Sequence, residues 1–145
     1  MALTDHTPAS QTTPDVRQLG TLAVGDVIAF NIVTAIGLLS HGELTGFGRI
    51  GEVITIATPF AVGWFLVAPF LGAFKPDVIT QPRRMLARSA LSWLLALPIG
   101  LLLWSFVRHK TVQPAFAVVT FITNMIVLLG WRGTFAWLSG RTHQR

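Results

Sequence analysis

An acid and a base each lie inside a long apolar stretch of this sequence. Asp26 lies about one helical turn inside residues 22–40, and Arg132 lies less than two turns from the end of residues 115–138. Lipid does not solvate such charges, and an opposite charge lowers the cost of burying each of them. Because their depths match to within about one turn, we predict that Asp26 and Arg132 form an ion pair inside the membrane.

The predicted pair has more than one interpretation. A structural ion pair would fix the register of two helices. Alternatively, Asp26 would couple to a proton or cation and change its protonation during the working cycle. A third interpretation has Asp26 reaching interfacial water or capping the first turn. We favour the structural pair.

Four neutral polar residues lie deeper in the same two stretches. Asn31 and Thr34 share a helical face with Asp26, opposite an aliphatic face that suits lipid, and Thr120 and Asn124 share a face of the last stretch. We predict that they form interhelical hydrogen bonds, each worth about 1 kcal/mol, or that they line a polar pathway through the bundle.

A polar cluster is predicted at the other side of the membrane, after the first and third stretches. Two histidines with a carboxylate could bind a metal ion or sense pH. No two of them have the i,i+4 spacing of a helical metal site, so we predict a solvated interfacial cluster without a metal. Its members are His41, Glu43, Arg49, Glu52, Arg108 and His109.

Sequence patterns of known enzyme classes are absent. The chain has no Gly-rich phosphate loop, zinc-protease motif or nucleophile elbow, and it has no cysteine. We therefore expect no enzyme activity, no catalytic residue and no cofactor.

Four apolar stretches carry the polar residues. Charged residues make up 12% of the chain and hydrophobic residues 52%, whereas soluble domains carry about 25% charged residues. At about 1.5 Å per residue each stretch can cross a membrane. We predict an all-α, integral membrane four-helix transmembrane bundle at residues 21–138, between a disordered polar tail (1–20) and a C-terminal tail (139–145). Its helices are predicted at residues 22–40, 53–74, 86–106 and 115–138.

Small residues recur every four positions in the third stretch. Ser92, Ala96 and Gly100 form a stripe on one helical face. Such a stripe allows another helix to approach closely, so we predict a helix-packing contact there.

Lysine and arginine are distributed unevenly between the two sides of the predicted bundle. The N-terminal tail, the second connection and the C-terminal end hold eight, and the other two connections hold three. The excess of positive charge marks the cytoplasmic side, so we predict that both termini are cytoplasmic. Because the basic residues flank apolar runs, we expect the lipid bilayer as partner and no nucleic acid.

A series of short motifs resembles a known family. The order and spacing of these motifs are similar to those of the prokaryotic membrane family catalogued as domain of unknown function 3054, over about residues 20–138. This resemblance implies four transmembrane helices in a bacterial or archaeal plasma membrane and no established activity. The motifs are Gly25-Asp26, Ser40-His41-Gly42-Glu43, Thr58-Pro59-Phe60, Gly63-Trp64, Pro98 with Gly100, and Gly130-Trp131-Arg132.

Two function classes fit these observations. The first is a small transport or permeation protein that works as a homo-oligomer, because four helices enclose little volume. The second is a non-catalytic structural or accessory subunit, which would dock on a larger membrane complex through its small-residue stripe and tryptophan-rich faces.

Overall fold

All regular structure in the described part of the chain is helical. The computed structural model describes residues 16–40 and 49–142. Four of the helices in these residues are long and apolar enough to cross a membrane, which confirms the all-α prediction with four candidate spans. The helices are α1 (Val16–Ser40), α2 (Ile50–Val67), α3 (Pro76–Ile79), α4 (Pro82–Arg108) and α5 (Pro114–Thr142).

The four long helices form a bundle in the order α1, α2, α4, α5 around its axis. Each packs against its two neighbours in this order, and α1 lies diagonally opposite α4. We call the end of the bundle that holds Val16, Val67, Pro82 and Thr142 the termini end. The other end, which holds Ser40, Ile50, Arg108 and Pro114, is the loop end.

The first and last helices are longer than predicted. The helix α1 begins at Val16, so the predicted tail at residues 1–20 includes helical residues, and residues 1–15 lie outside the described part. Here Leu19 packs against the buried cluster that includes Leu22 and Ile79, which extends the apolar contact. At the other terminus α5 continues to Thr142, into the predicted tail at residues 139–145, because its buried face continues through Ala136 and Ser139.

The second helix is shorter than predicted. It ends at Val67 rather than at residue 74, and residues 68–74 form a series of turns. Pro69 lacks a backbone N–H, and Gly72 adopts a φ of +73°, a left-handed conformation that favours glycine. The chain then forms α3, which has Pro76 in its first turn. This early end leaves backbone carbonyls of residues 68–74 outside a regular helix.

The small-residue stripe is used inside the chain. Ser92, Ala96 and Gly100 are buried, and α4 contacts α2 there. A Cβ placed on Gly63 would lie 2.9 Å from the Ala96 carbonyl oxygen and 3.0 Å from the Gly100 nitrogen. The predicted packing contact is therefore a close approach of α2 and α4 of the same chain.

Candidate functional site

Asp26 and Arg132 are in direct contact in the termini-end half of the bundle. Arg132 Nε donates a hydrogen bond to Asp26 Oδ1 at 2.9 Å, and Arg132 Nη2 donates to Asp26 Oδ2. Neither side chain is exposed at all. The two parallel bonds form the fork-on-carboxylate geometry in which a guanidinium binds most strongly.

Two other helices, α2 and α4, and the turns after α2 complete the surroundings of this pair. Trp64 Nε1 on α2 donates to Asp26 Oδ2 at 3.0 Å. Arg132 Nη1 donates to the Ala73 carbonyl oxygen at 3.0 Å and to Ser89 Oγ on α4 at 3.3 Å. Every long helix therefore contributes a polar group to one buried network.

Two aromatic rings lie against the guanidinium of Arg132. The Arg132 Cζ atom lies 4.7 Å from the centre of the Trp64 ring and 4.5 Å from that of Phe74. Rings at this distance attract a cation through their negative faces. Met85 Sδ lies 3.8 Å from Arg132 Nη1 and also contacts the guanidinium. Protein groups therefore surround the guanidinium, and neither member of the pair is exposed.

Local sequence explains how these groups converge. Gly25 precedes Asp26, and a Cβ on it would clash with the Trp131 ring, so glycine permits this ring of α5 to pack directly on the backbone of α1. In the turns after Val67 the carbonyl of Ala73 points into the bundle. In a regular helix this carbonyl would accept a hydrogen bond from a backbone N–H of the same helix. The network therefore depends on the early end of α2 as much as on the two charges.

A cavity of about 520 Å³ occupies the loop-end half of the bundle. Its walls come from all four long helices and are mostly aliphatic and aromatic. Thr34 on α1 and Thr120, Thr123 and Asn124 on α5 add polar groups to the wall. Cavities of this size and character bind small molecules in many proteins.

Aromatic side chains separate the cavity from the ion pair. Phe30 lines the cavity, and its ring centre lies 5.3 Å from that of Trp93 and 6.3 Å from that of Trp64. Trp64 in turn donates to Asp26. Phe60 also lines the cavity and is buried. The cavity therefore ends at a packed aromatic layer toward the termini end.

Polar residues and exposed aliphatic residues line the cavity where it opens. At the loop end Ser40, Arg108 and Lys110 line it. Between α1 and α5, Ile36 and Ile126 line it and are 55% and 66% exposed. The cavity thus opens toward the loop end and sideways toward the surroundings of the bundle.

Within residues 16–40 and 49–142, the four predicted mid-membrane polar residues form no interhelical hydrogen bond. Asn31 Nδ2 donates to the Val27 carbonyl at 2.8 Å, and Asn124 Nδ2 donates to the Thr120 carbonyl at 2.9 Å, each within its own helix. The backbone carbonyl four residues earlier in the same helix is within reach of each side-chain amide, so the amide does not need an acceptor from a second helix. Thr34, Thr120 and Asn124 share the cavity, whereas Asn31 lines a separate groove between α1 and α2.

The predicted loop-end cluster is only partly covered by the described residues. His41 and Glu43 lie outside them. Arg108 Nη2 lies 3.4 Å from Glu52 Oε1, and Arg49 precedes α2. His109 ends α4 with a φ of +50°. Within residues 16–40 and 49–142, no group of three potential metal ligands lies together.

Several residues of the network were not predicted from the sequence. Trp64 gave a signal that could have been used, since an indole N–H in a transmembrane stretch needs an acceptor. Ser89 lies one turn before the Ser92 stripe and could have been placed on the same face. The Ala73 carbonyl gave no signal, because any residue carries one and only the end of α2 makes it available.

Comparison with known proteins places the chain in a family. No curated protein and no solved structure matches it. The family model described as "Protein of unknown function (DUF3054)" matches residues 23–135, a range that includes Asp26, Arg132 and the cavity. The chain therefore belongs to this family of unknown function.

Proposed function

We propose that this protein is a small, non-enzymatic transport or permeation protein of a bacterial or archaeal plasma membrane. The loop-end cavity would take up a solute from outside the cell, and the aromatic layer with the Asp26–Arg132 network would close the pathway toward the cytoplasm. The observation that carries this proposal is a cavity that opens at one end of the bundle and is closed at the other.

The proposed orientation rests on the positions of basic residues. Arg132 is fully buried in the bundle, so it does not count as a charge that flanks the membrane. Without it, the sequence still has seven lysine and arginine residues toward the termini end and three toward the loop end. This asymmetry supports cytoplasmic termini.

Two observations favour transport over the accessory-subunit alternative. One chain already encloses a cavity large enough for a small solute, so a binding site does not require several copies. The Ser92–Ala96–Gly100 stripe, which had favoured docking on a larger complex, is covered by α2 of the same chain. Homo-oligomerisation stays a prediction, which the protein's size in mild detergent would test.

Labelling of a single cysteine tests transport without knowledge of the solute. The chain has no native cysteine, so Thr123→Cys in the cavity wall would be the only thiol. A transporter exposes its binding site to each side in turn. We expect a membrane-impermeant maleimide to label Thr123→Cys in right-side-out and in inside-out vesicles.

A cysteine at a neighbouring position provides the control. Ile122 is 49% exposed but does not line the cavity, so Ile122→Cys would face lipid and should stay unlabelled from both sides. Labelling of Thr123→Cys from the outside alone would contradict transport and leave a one-sided binding protein.

A further inference from the structure

We propose that the loop-end cavity binds the acyl chain of an anionic membrane lipid, with the lipid headgroup at Lys110 and Arg108. This inference deepens the proposed function by naming the ligand class, and it uses the same cavity. It rests on the shape of the cavity, on its charged mouth and on an unused hydrogen-bond donor in its wall.

The shape of the cavity fits an entry from the bilayer. Its opening between α1 and α5 is bordered by exposed aliphatic side chains, including Ile36 and Val119. A lipid chain can pass this border without leaving an apolar environment, whereas a charged solute would lose its hydration there. The interior continues with Val33, Val127 and Phe116, so a chain that enters meets apolar contacts throughout.

The mouth of the cavity carries cationic groups. Lys110 lines the cavity and is exposed, and within the described residues it forms no ion pair. Arg108 also lines the cavity, and its Nη2 atom lies 3.4 Å from Glu52 Oε1. Since these groups lie beside the last turn of α4, they are at the depth of a lipid headgroup when the span is embedded. An anionic headgroup would complement this charge.

A polar donor in the wall has no partner. Trp104 lines the cavity, and its buried indole Nε1 has no hydrogen-bond partner in the part of the chain that the structure describes. A buried donor without an acceptor is costly. An ester or phosphate oxygen of a lipid in the cavity would supply the missing acceptor once the indole ring turns toward the cavity.

Bromine-labelled lipids test this inference, because bromine quenches an indole that it contacts. The protein would be placed in phosphatidylcholine nanodiscs and titrated with phosphatidylglycerol brominated on its acyl chains. The signal of Trp104 is the difference between the parent and Trp104→Phe. We expect saturable quenching of Trp104, with half-saturation at about fivefold lower mole fraction for phosphatidylglycerol than for brominated phosphatidylcholine.

A glycine on the cavity wall allows the cavity to be filled. A Cβ on Gly37 meets nothing within 4 Å, and the same holds for Gly130, which is exposed on α5 away from the cavity. Gly37→Leu should abolish the saturable quenching, and Gly130→Leu should retain it. Equal quenching in both variants would overturn the inference.

A charge variant provides a test that does not depend on the interior of the fold. Lys110→Gln should remove the preference for phosphatidylglycerol, while Arg83→Gln, at an exposed position near the termini end, should preserve it. An unchanged preference in Lys110→Gln would overturn the proposed headgroup site. Displacement of the brominated lipid by inorganic phosphate, but not by unbrominated phosphatidylglycerol, would assign the site to a soluble anion instead.

The outcome is separable from that of the proposed function. Lipid binding as expected, combined with labelling of Thr123→Cys from outside alone, would support the ligand class and reject transport. Labelling from both sides without any preference for an anionic lipid would overturn the ligand class and leave transport in place.

Discussion

Arg132 and Thr120 lie on the same helix, twelve residues apart, in very different surroundings. Arg132 is unexposed and receives partners from α1, α4 and the turns after α2. Thr120 is also buried, but it lies beside a cavity, and its own carbonyl accepts a hydrogen bond from Asn124 of the same helix. The termini-end half of the bundle is packed tightly around a buried ion pair, and we call it the filled half. The loop-end half contains a cavity lined in part by neutral polar groups, and we call it the hollow half.

The difference follows from the hydrogen-bonding needs of the two kinds of group. A buried guanidinium needs a carboxylate and further acceptors, which one helix cannot supply. Several segments must therefore converge on it, and their convergence excludes water. A hydroxyl or amide can use the carbonyl one turn back, as Thr34 does with Phe30 and Thr123 does with Val119. Neutral polar residues therefore leave room between helices.

The largest expected effect comes from separating the charge pair. Asp26→Asn or Arg132→Gln leaves its partner buried and unpaired, so each should lower the free energy of unfolding by about 3–5 kcal/mol. The double variant should recover part of this loss. Thermal unfolding in detergent measures all three, and additive losses would show that the two residues do not interact directly.

A surface pair provides the control for this cycle. Arg84 and Asp77 lie 3.6 Å apart, and both side chains are more than half exposed. Water and salt screen such a pair, so Arg84→Gln should change the free energy of unfolding by at most about 1 kcal/mol. A loss as large as that of Arg132→Gln would contradict the special role of the buried network.

A smaller effect is expected from removal of a single donor. Trp64→Phe removes the hydrogen bond to Asp26 Oδ2, and a bond to a charged group contributes about 1.5–3 kcal/mol. Trp131→Phe is the matched control, because the Trp131 indole N–H is buried without a partner among the described residues. If both substitutions destabilise equally in a thermal melt, the loss belongs to ring packing and not to the network.

The same glycine substitution should have opposite effects in the two halves of α1. Gly25→Ala places a methyl group in the Trp131 ring and should cost about 1–3 kcal/mol through overpacking. Gly37→Ala meets open space and should raise the free energy of unfolding by about 0.5–1 kcal/mol, because alanine is the better helix former. Denaturation in the same detergent compares them, and destabilisation of equal size at both positions would contradict a hollow loop-end half.

The smallest expected effect is at the end of α4. His109 adopts a φ of +50°, a conformation that costs most residues about 1–2 kcal/mol. Glycine adopts it without this cost, but glycine also loses about 0.5–1 kcal/mol more conformational entropy on folding than other residues do. His109→Gly should therefore stabilise the protein by at most about 1 kcal/mol. A clear loss of thermal stability would indicate that the imidazole has an interaction beyond its ring contact with Phe106.

The sequence was informative where physical chemistry restricts the choices most. A carboxylate and a guanidinium in apolar stretches have few ways to be buried, and matching depths were enough to bring Asp26 and Arg132 together. The four apolar stretches likewise predicted four long helices. The helix ends were less predictable, since Val16 and Thr142 belong to helices only because buried side chains nearby extend the packing.

The surroundings of the pair and the cavity could not be predicted in the same way. The end of α2 at Val67 depends on the turns that follow, although residues 53–74 contain no charged residue and are mostly apolar. That end makes the Ala73 carbonyl available to Arg132. The cavity results from the gap that remains between helices whose polar groups are satisfied locally, and apolar periodicity does not reveal a gap.

Access of water to the two halves tests the central comparison most directly. Thr34→Cys would place a thiol in the cavity wall and Ser89→Cys would place one beside Arg132, each as the single cysteine of the chain. In the purified protein, a water-soluble maleimide should label Thr34→Cys readily and Ser89→Cys much more slowly, because Ser89 reaches water only when the network opens toward the termini end. Equal labelling of both thiols in the folded protein would contradict a filled half and a hollow half.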